Sequence, residues 1–191
     1  MEERGRPPGG DLPPSADAGL VLVPVTFCIE CGNRLQERVA FGRPRMVCPA
    51  CEHVHFEDPK VAVGVVATRD GRILLTRRNH EPKMGEWSFP AGFVDAGEDV
   101  IEAAVREALE ETGVQVQVGP LLGVFQERAS RVVFLAYAAT APEGELACGD
   151  ECMEVRFFEP DALPALAFEN DTAILAAWRR TVAGAEAPYS N

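Results

Sequence analysis

Glu107, Glu110 and Glu111 stand three and four residues apart, a spacing that puts all three carboxylates on one face if the segment is helical. Carboxylates placed this way repel one another, and from Gly92 to Val114 no lysine relieves them. A cation is therefore expected among them, and hard oxygen donors suit Mg²⁺ or Mn²⁺. A solvated amphipathic helix would present the same acidic face. That plainer reading leaves unexplained why Arg106 adjoins the cluster and why Gly92 and Glu98 precede it in the same short stretch.

A second group of chemically competent residues lies upstream. Cys28 and Cys31 form one CxxC pair, Cys48 and Cys51 another, with sixteen residues between the pairs. This spacing predicts two knuckles that present four thiolates to one tetrahedral Zn²⁺, with Gly32 closing the first turn. Two disulfides compete with that reading, but the polar, Pro/Gly-rich Met1–Ala18 stretch has no export signal, and a reducing cytoplasm favours metal. A redox-active CxxC comes singly before a helix rather than as a matched pair. Four sulfurs complete the shell, so His53 and His55 are expected to take no part. Cys148 and Cys152 can bind metal or form a disulfide; partly buried thiols are the expectation here.

The elements that must position these groups can be read locally. Asp99 and Glu102 form a capping-box pattern and Gly113 a left-handed stop, which delimits a helix over Asp99–Thr112. Ile101, Ala104, Val105 and Ala108 supply its inner stripe. Val61 to Thr68 reads as a buried strand, Asp70-Gly71 as a hairpin turn and Arg72 to Arg78 as the returning strand. Trp87 to Pro90 reads as one short strand. Further strands are expected over 114–118, 121–127, 132–138 and 154–159. A last helix runs from about Asn170 to Val182 with Ile174, Leu175 and Trp178 inward. The expected division is a disordered tail over 1–24, a zinc ribbon over 25–57, a catalytic domain over 58–183 and a tail over 184–191.

The stretch GFVDAGEDVIEAAVREALEETGV resembles the Nudix box, G-x5-E-x7-R-E-U-x-E-E-x-G-U with U aliphatic, at every fixed position. With the preceding FCIECG, CPAC and FEDPKVAVG stretches, the chain is similar to Nudix hydrolases that carry an N-terminal zinc ribbon. Those include NADH pyrophosphatases and, at closer match, ADP-ribose and FAD pyrophosphatases. The resemblance implies an α+β fold, a Nudix α/β/α sandwich preceded by the ribbon. It also implies hydrolysis of a nucleoside diphosphate linked to another moiety. The NADH-directed members have a further N-terminal domain and a SQPWPFPxS stretch after the box. This chain has GVFQERASR there, which argues against NADH specificity and NAD-cap removal.

By the same resemblance Glu107, Glu110, Glu111 and the Ala91 carbonyl would hold Mg²⁺ or Mn²⁺. Arg106 would position the carboxylates and Glu98 would steady the loop. A late acid, Glu151 ahead of Glu154, would serve as ligand or general base. Arg77 and Arg78 alternate on one strand, so one of them can meet phosphate. Phe93 and Phe125 are candidates for stacking on a ring, with core packing the commoner role. Gln126, together with Glu127 and Arg128, occupies the segment where relatives read the rest of the substrate.

Composition bounds these readings. The 191 residues allow one catalytic domain and a small partner, and 47% hydrophobic content suffices for a core. No apolar run reaches the roughly 20 residues of a membrane span. Net charge is −12, from 30 acidic and 18 basic residues, which argues against nucleic acid as a general partner. Arg34, Arg38, Arg43 and Arg45 give the ribbon only a modest basic tint. The expected partner is a small-molecule nucleotide conjugate, the expected place the cytoplasm, and the architecture implies a homodimer. A nucleotide-sensing binding module is the alternative of another class; a sensor has no need of a complete acidic box.

Overall fold

The computed structural model describes residues 25–128 and 130–184. The two expected tails, residue 184 apart, lie outside the described residues.

Two sheets organise the chain. The first has three strands, β1 (Gln36–Ala40), β2 (Arg43–Val47) and β3 (Val54–His55), in order β1-β2-β3. The second has seven, β4 (Lys60–Arg69), β5 (Arg72–Arg78), β6 (Trp87–Ser88), β7 (Ala91–Phe93), β8 (Gln117–Phe125), β9 (Val132–Thr140) and β10 (Cys152–Phe158). Its main path is β10-β5-β4-β9-β8, with β6 on β5 and β7 on β4. Helix α1 (Val100–Thr112) packs on one face and α2 (Asp171–Val182) on the other.

Burial on both faces explains the unbroken apolar run of β4. Val63, Val65 and Ala67 point into the core shared with Ala103, Ala104 and Ala108 of α1. Val66, with Ile73 and Leu75 of β5, points instead to Ile174, Ala177 and Trp178 of α2. The β4/β5 connection turns on Asp70 and Gly71, both at positive φ (50° and 77°), as a two-residue hairpin of matching twist requires. β4 then runs parallel to β9 along its whole length, from Lys60 opposite Val132 to Thr68 opposite Thr140.

Several expectations need correction. Ile101 has the helical phase of the inner stripe yet is exposed, because Val100 and Ala103 of the same turn take the positions against the core. The two strands expected between 114 and 127 are one, β8, whose register shifts around Gly119 and Pro120. Pro120 lacks an N–H for the ladder and is accommodated because β8 lies at the sheet edge. The strand expected at Trp87 to Pro90 is the shorter β6, paired with β5, and after Pro90 comes a strand that was not expected, β7, paired with β4. Cys148 and Cys152 are joined as a disulfide rather than left as thiols. Their four-residue separation across a tight loop brings the two sulfurs together.

Candidate active site

Helix α1 is fixed at both ends. The Asp99 carboxylate accepts from the backbone N–H groups of Ile101 (2.8 Å) and Glu102 (3.3 Å). Gly113, at φ 72°, donates its N–H to the Leu109 carbonyl at 2.8 Å. With both caps set, the rotation of the acidic face is determined. It points at β7: a side chain at Gly92 would overlap the Glu107 carboxylate and push it aside, so glycine lets strand and carboxylate meet this closely.

Arg106 gathers three carboxylates. Its Nε and Nη2 grip Glu98 at 2.7 and 2.9 Å as a two-pronged pair, while Nη1 reaches Glu107 at 2.8 Å and Glu110 at 3.2 Å. Nη2 also donates to the Phe93 carbonyl at 3.1 Å, tying helix to loop. Glu98 in turn accepts from the Asp95 N–H at 3.0 Å. The Arg106 hydrogen bonds hold the Glu98 carboxyl down at about 2, and Glu98 and Glu107 raise the guanidinium's pKa.

Glu111 is the most enclosed of the acids. Burial pushes its carboxyl up to about 8, against the hydrogen bonds from Thr76 Oγ1 at 3.1 Å and from the Ala91 backbone. Burial raises the Glu107 carboxyl as well, opposed by Arg106 and reinforced by Glu110 and Glu151. Acids desolvated beside one another favour a cation over bulk water, so this donor set fits a divalent ion. Glu110 is largely exposed at the rim. Thr76 escaped sequence reasoning because a lone strand threonine carries no signal of its partner 35 residues away.

Arg78 lies two residues from Thr76 on β5 and so shares its face. Its Nε donates to the Pro82 carbonyl at 2.9 Å, Nη2 lies 2.8 Å from His80 Nε2, and the guanidinium sits over the Phe168 ring. Burial lowers its pKa while Glu111 and Glu151 oppose the shift, which places it within electrostatic reach of both acids. Arg77 faces the other way. It is exposed, donates to the Gly85 carbonyl at 2.9 Å and pairs with Glu154 at 4.0 Å.

The loop carrying Glu151 closes over the end of α1. Ala147 N–H reaches the Thr112 carbonyl at 2.9 Å and Gly149 N–H the Glu111 carbonyl at 3.3 Å. A side chain at Gly149 would collide with the Glu110 carbonyl. From the other side Asn79 donates its backbone N–H to the Glu151 carbonyl at 3.3 Å and its amide to the Asp150 carbonyl. Asn79 was likewise invisible in the sequence. Of the remaining candidates, Phe93 is exposed with the Lys60 ammonium over its ring, and Gln126 donates to the Ser130 carbonyl at 3.0 Å. Phe125 packs against the α2 core.

The four amino-terminal cysteines converge. Cys28 and Cys51 sulfurs are 3.6 Å apart, and Cys31 lies 3.4 Å from both Cys48 and Cys51. Tetrahedral Zn–S bonds of about 2.3 Å require sulfurs at about this separation. Asn33 donates to Cys31 from side chain and backbone, lowering its thiol to about 6. The His53 N–H favours the Cys51 thiolate, yet the contact with Cys31 pushes that thiol up to about 12. Four sulfurs this close cannot all ionise without a cation, and the set fits zinc. His53 and His55 are not in the cluster.

A NUDIX domain model matches residues 58–178, and one described as Nudix N-terminal, the zinc ribbon, matches 26–57. The chain belongs to the Nudix family. It is a Nudix hydrolase of pyrophosphatase type, with an α+β fold preceded by a zinc-ribbon cysteine cluster. It is 39% identical over 120 residues to an ADP-ribose pyrophosphatase of Methanocaldococcus jannaschii, covering 61% of this chain and 71% of that protein. Against the NAD-capped RNA hydrolase NudC of Pseudomonas aeruginosa it is 34% identical over 154 residues, 77% of this chain and 52% of NudC. The Nudix chain thus spans about half the length of NudC. A solved NUDIX hydrolase from Nitrosomonas europaea shares 31% identity with a TM-score of 0.75, covering 83% of this chain and 90% of that one. Among the described residues no helix is long and apolar enough to cross a membrane.

Proposed function

We propose that this Nudix hydrolase cleaves the pyrophosphate of a nucleoside diphosphate conjugate, ADP-ribose or FAD, to AMP and the phosphorylated remainder. The observation that carries the reading is the convergence of Glu107 and Glu111 on the Ala91–Gly92 strand, with Arg78 on the same face of β5 as the Thr76 that holds Glu111. In this reading Glu107, Glu110, Glu111 and the Ala91 carbonyl hold Mg²⁺ or Mn²⁺, joined by Glu151. A divalent ion bound there lowers the pKa of water and neutralises charge on the leaving phosphate. Arg106 and Glu98 keep the carboxylates aimed, and Thr76 orients Glu111. Arg78 meets the phosphates, since it faces the acids while Arg77 is turned toward Glu154. Phe93 and Gln126 line the approach of the remaining moiety, and Arg77, turned toward Glu154, takes no part. Zinc on the four cysteines is structural.

The similarity to the M. jannaschii ADP-ribose pyrophosphatase supports this substrate class. NADH or NAD-capped RNA is the second reading, supported by the similarity to NudC and weakened by the GVFQERASR segment. The ribbon and catalytic units divide near residue 57, the enzyme works in the cytoplasm, and it forms a homodimer. Product analysis on ADP-ribose, FAD, NADH and a nucleoside triphosphate with either ion tests the proposal. AMP from ADP-ribose or FAD, lost in Glu111→Gln, supports it; no turnover of any of them with nucleotide binding intact in both forms leaves a binding module.

A further inference from the structure

The amino-terminal sheet has a cationic face that pyrophosphate hydrolysis does not use. In the β1/β2 ladder Arg38 stands directly opposite Arg45, and Arg43 lies two residues from Arg45 on the same strand. All three therefore project from one face. Like charges placed directly opposite each other weaken a ladder. No carboxylate among the described residues pairs with any of the three, in a chain of net charge −12. Arg38 Nη2 donates to Gln36 Oε1 at 3.1 Å, and Arg45 Nε is buried with no hydrogen-bond partner.

Beside this row is an aromatic platform. The Arg45 guanidinium lies 4.6 Å over the Phe56 ring, and Phe41 stands 5.7 Å from Phe56. Neither ring belongs to the ribbon core, which consists of Cys28, Leu35 and Cys48 with Val25 and Met46 packed against it. Phe41 is 77% exposed and Phe56 49%. Phe41 also occupies the hairpin turn at φ 51°, a backbone region costly for a bulky residue. A ring this exposed in a strained turn gains little from burial, so a ligand is the better explanation of its presence.

We propose that this face of the ribbon binds single-stranded nucleic acid, with Arg38, Arg43 and Arg45 on phosphates and Phe41 and Phe56 as the stacking surface for bases. Planar guanidiniums suit phosphate oxygens, and exposed rings suit unpaired bases. An acidic peptide would satisfy the arginines but leave the rings without a matching partner. The arginines are too few to make the ribbon basic overall, since residues 25–57 hold four arginines and four glutamates. Strand pairing, which composition does not register, gathers three of them.

The test uses the full zinc-loaded chain and a labelled oligoribonucleotide of about twelve residues, long enough for one such site. Fluorescence anisotropy at low salt is expected to show binding of the single strand, weaker binding of a duplex of equal length, and no displacement by polyglutamate at equal charge. The double variant Arg38→Gln/Arg43→Gln should reduce the slope of log affinity against log salt by about 1.4, two contacts at about 0.7 each. Phe41→Ala should weaken binding roughly tenfold. Zinc content and small-substrate hydrolysis should stay at wild-type levels in both, which shows that the ribbon remains folded. Absence of binding, equal binding by the variants, or equal displacement by polyglutamate overturns the proposal. So does a sedimentation dimer that these variants dissociate, which would make the face a contact between copies.

Discussion

Thr76 donates its hydroxyl to Glu111 Oε2 at 3.1 Å, joining strand β5 to the acidic face of α1 from a buried position. A buried carboxylate loses water on every side, so each remaining donor governs where it points. Thr76→Val keeps the shape of the side chain and removes the donor. The expected outcome is about tenfold lower kcat/KM and a weaker apparent Mn²⁺ affinity, for a lost bond of roughly 1.4 kcal/mol. Mn²⁺ titration followed by electron paramagnetic resonance reads the second effect without turnover, and Thr76→Ser should restore both. Wild-type Mn²⁺ binding in the valine variant would remove Thr76 from the site.

The Glu98–Arg106 pair gives the fold a defined acid response. Arg106 lowers the Glu98 carboxyl from the ordinary 4.5 to about 2, so the folded chain binds this proton less readily than the unfolded chain. The stability it contributes is therefore present above about pH 4.5 and is lost as pH falls toward 2. Glu98→Gln should flatten that part of the melting temperature against pH curve and leave the neutral-pH slope unchanged. Thermal melts in low-salt buffers from pH 2 to 7 check it; identical acid slopes in both proteins would mean that the pair does not form in solution.

Glu98 and Arg106 were legible in the sequence and Thr76 was not. The box residues could be named because the helical repeat alone puts Glu107, Glu110 and Glu111 on one face, and Asp99 and Gly113 cap that helix where expected. The CxxC pairs were equally readable, since each is a local turn. Thr76 and Asn79 were not, because their partners lie across the sheet or on a late loop and nothing nearby in sequence announces them. The separate strand β7 after Pro90 was hidden for a similar reason. It depends on which neighbouring strand the segment meets, and Gly64 admits β7 because a side chain there would collide with Phe134 and Ala91. Ile101 failed in the opposite way: its phase was right, but phase alone does not say which side chains of a turn the core covers.

Zinc should decide whether the ribbon folds. Its buried apolar side chains are Leu35, Val47 and two of the cysteines themselves, Cys28 and Cys48, too little apolar surface to offset chain entropy. A structural zinc site contributes on the order of 10 kcal/mol or more of apparent folding energy. Cys48→Ala should therefore abolish zinc content and expose residues 25–57 to protease, while the seven-stranded sheet, whose two cores contain no ribbon residue, stays protected. Metal analysis with limited proteolysis and mass mapping reads both halves. A protease-resistant ribbon without zinc would show that the cysteines support the fold by packing alone.

Two restraints hold the loop that carries Glu151, and they differ in what they fix. The Cys148–Cys152 disulfide closes the loop on itself, whereas Gly149 and Asn79 tie it to α1 and to the β5 end. Position relative to the other acids comes from the second set, together with the Ala147 N–H on the Thr112 carbonyl. Gly149→Ala forces a methyl into the Glu110 carbonyl and must shift the loop, so kcat is expected to fall at least tenfold. Replacing both cysteines with serine removes the closure and leaves the ties to Asn79 and α1 in place. Activity should then fall less than threefold, with a lower melting temperature from the freer unfolded chain. Asn79→Ala should resemble Gly149→Ala in direction, and more mildly, because its backbone bond to Glu151 survives the substitution. Steady-state kinetics on the three proteins, with melting curves for each, separates the roles. A larger kinetic loss in the cysteine double variant than in Gly149→Ala would assign the positioning to the disulfide.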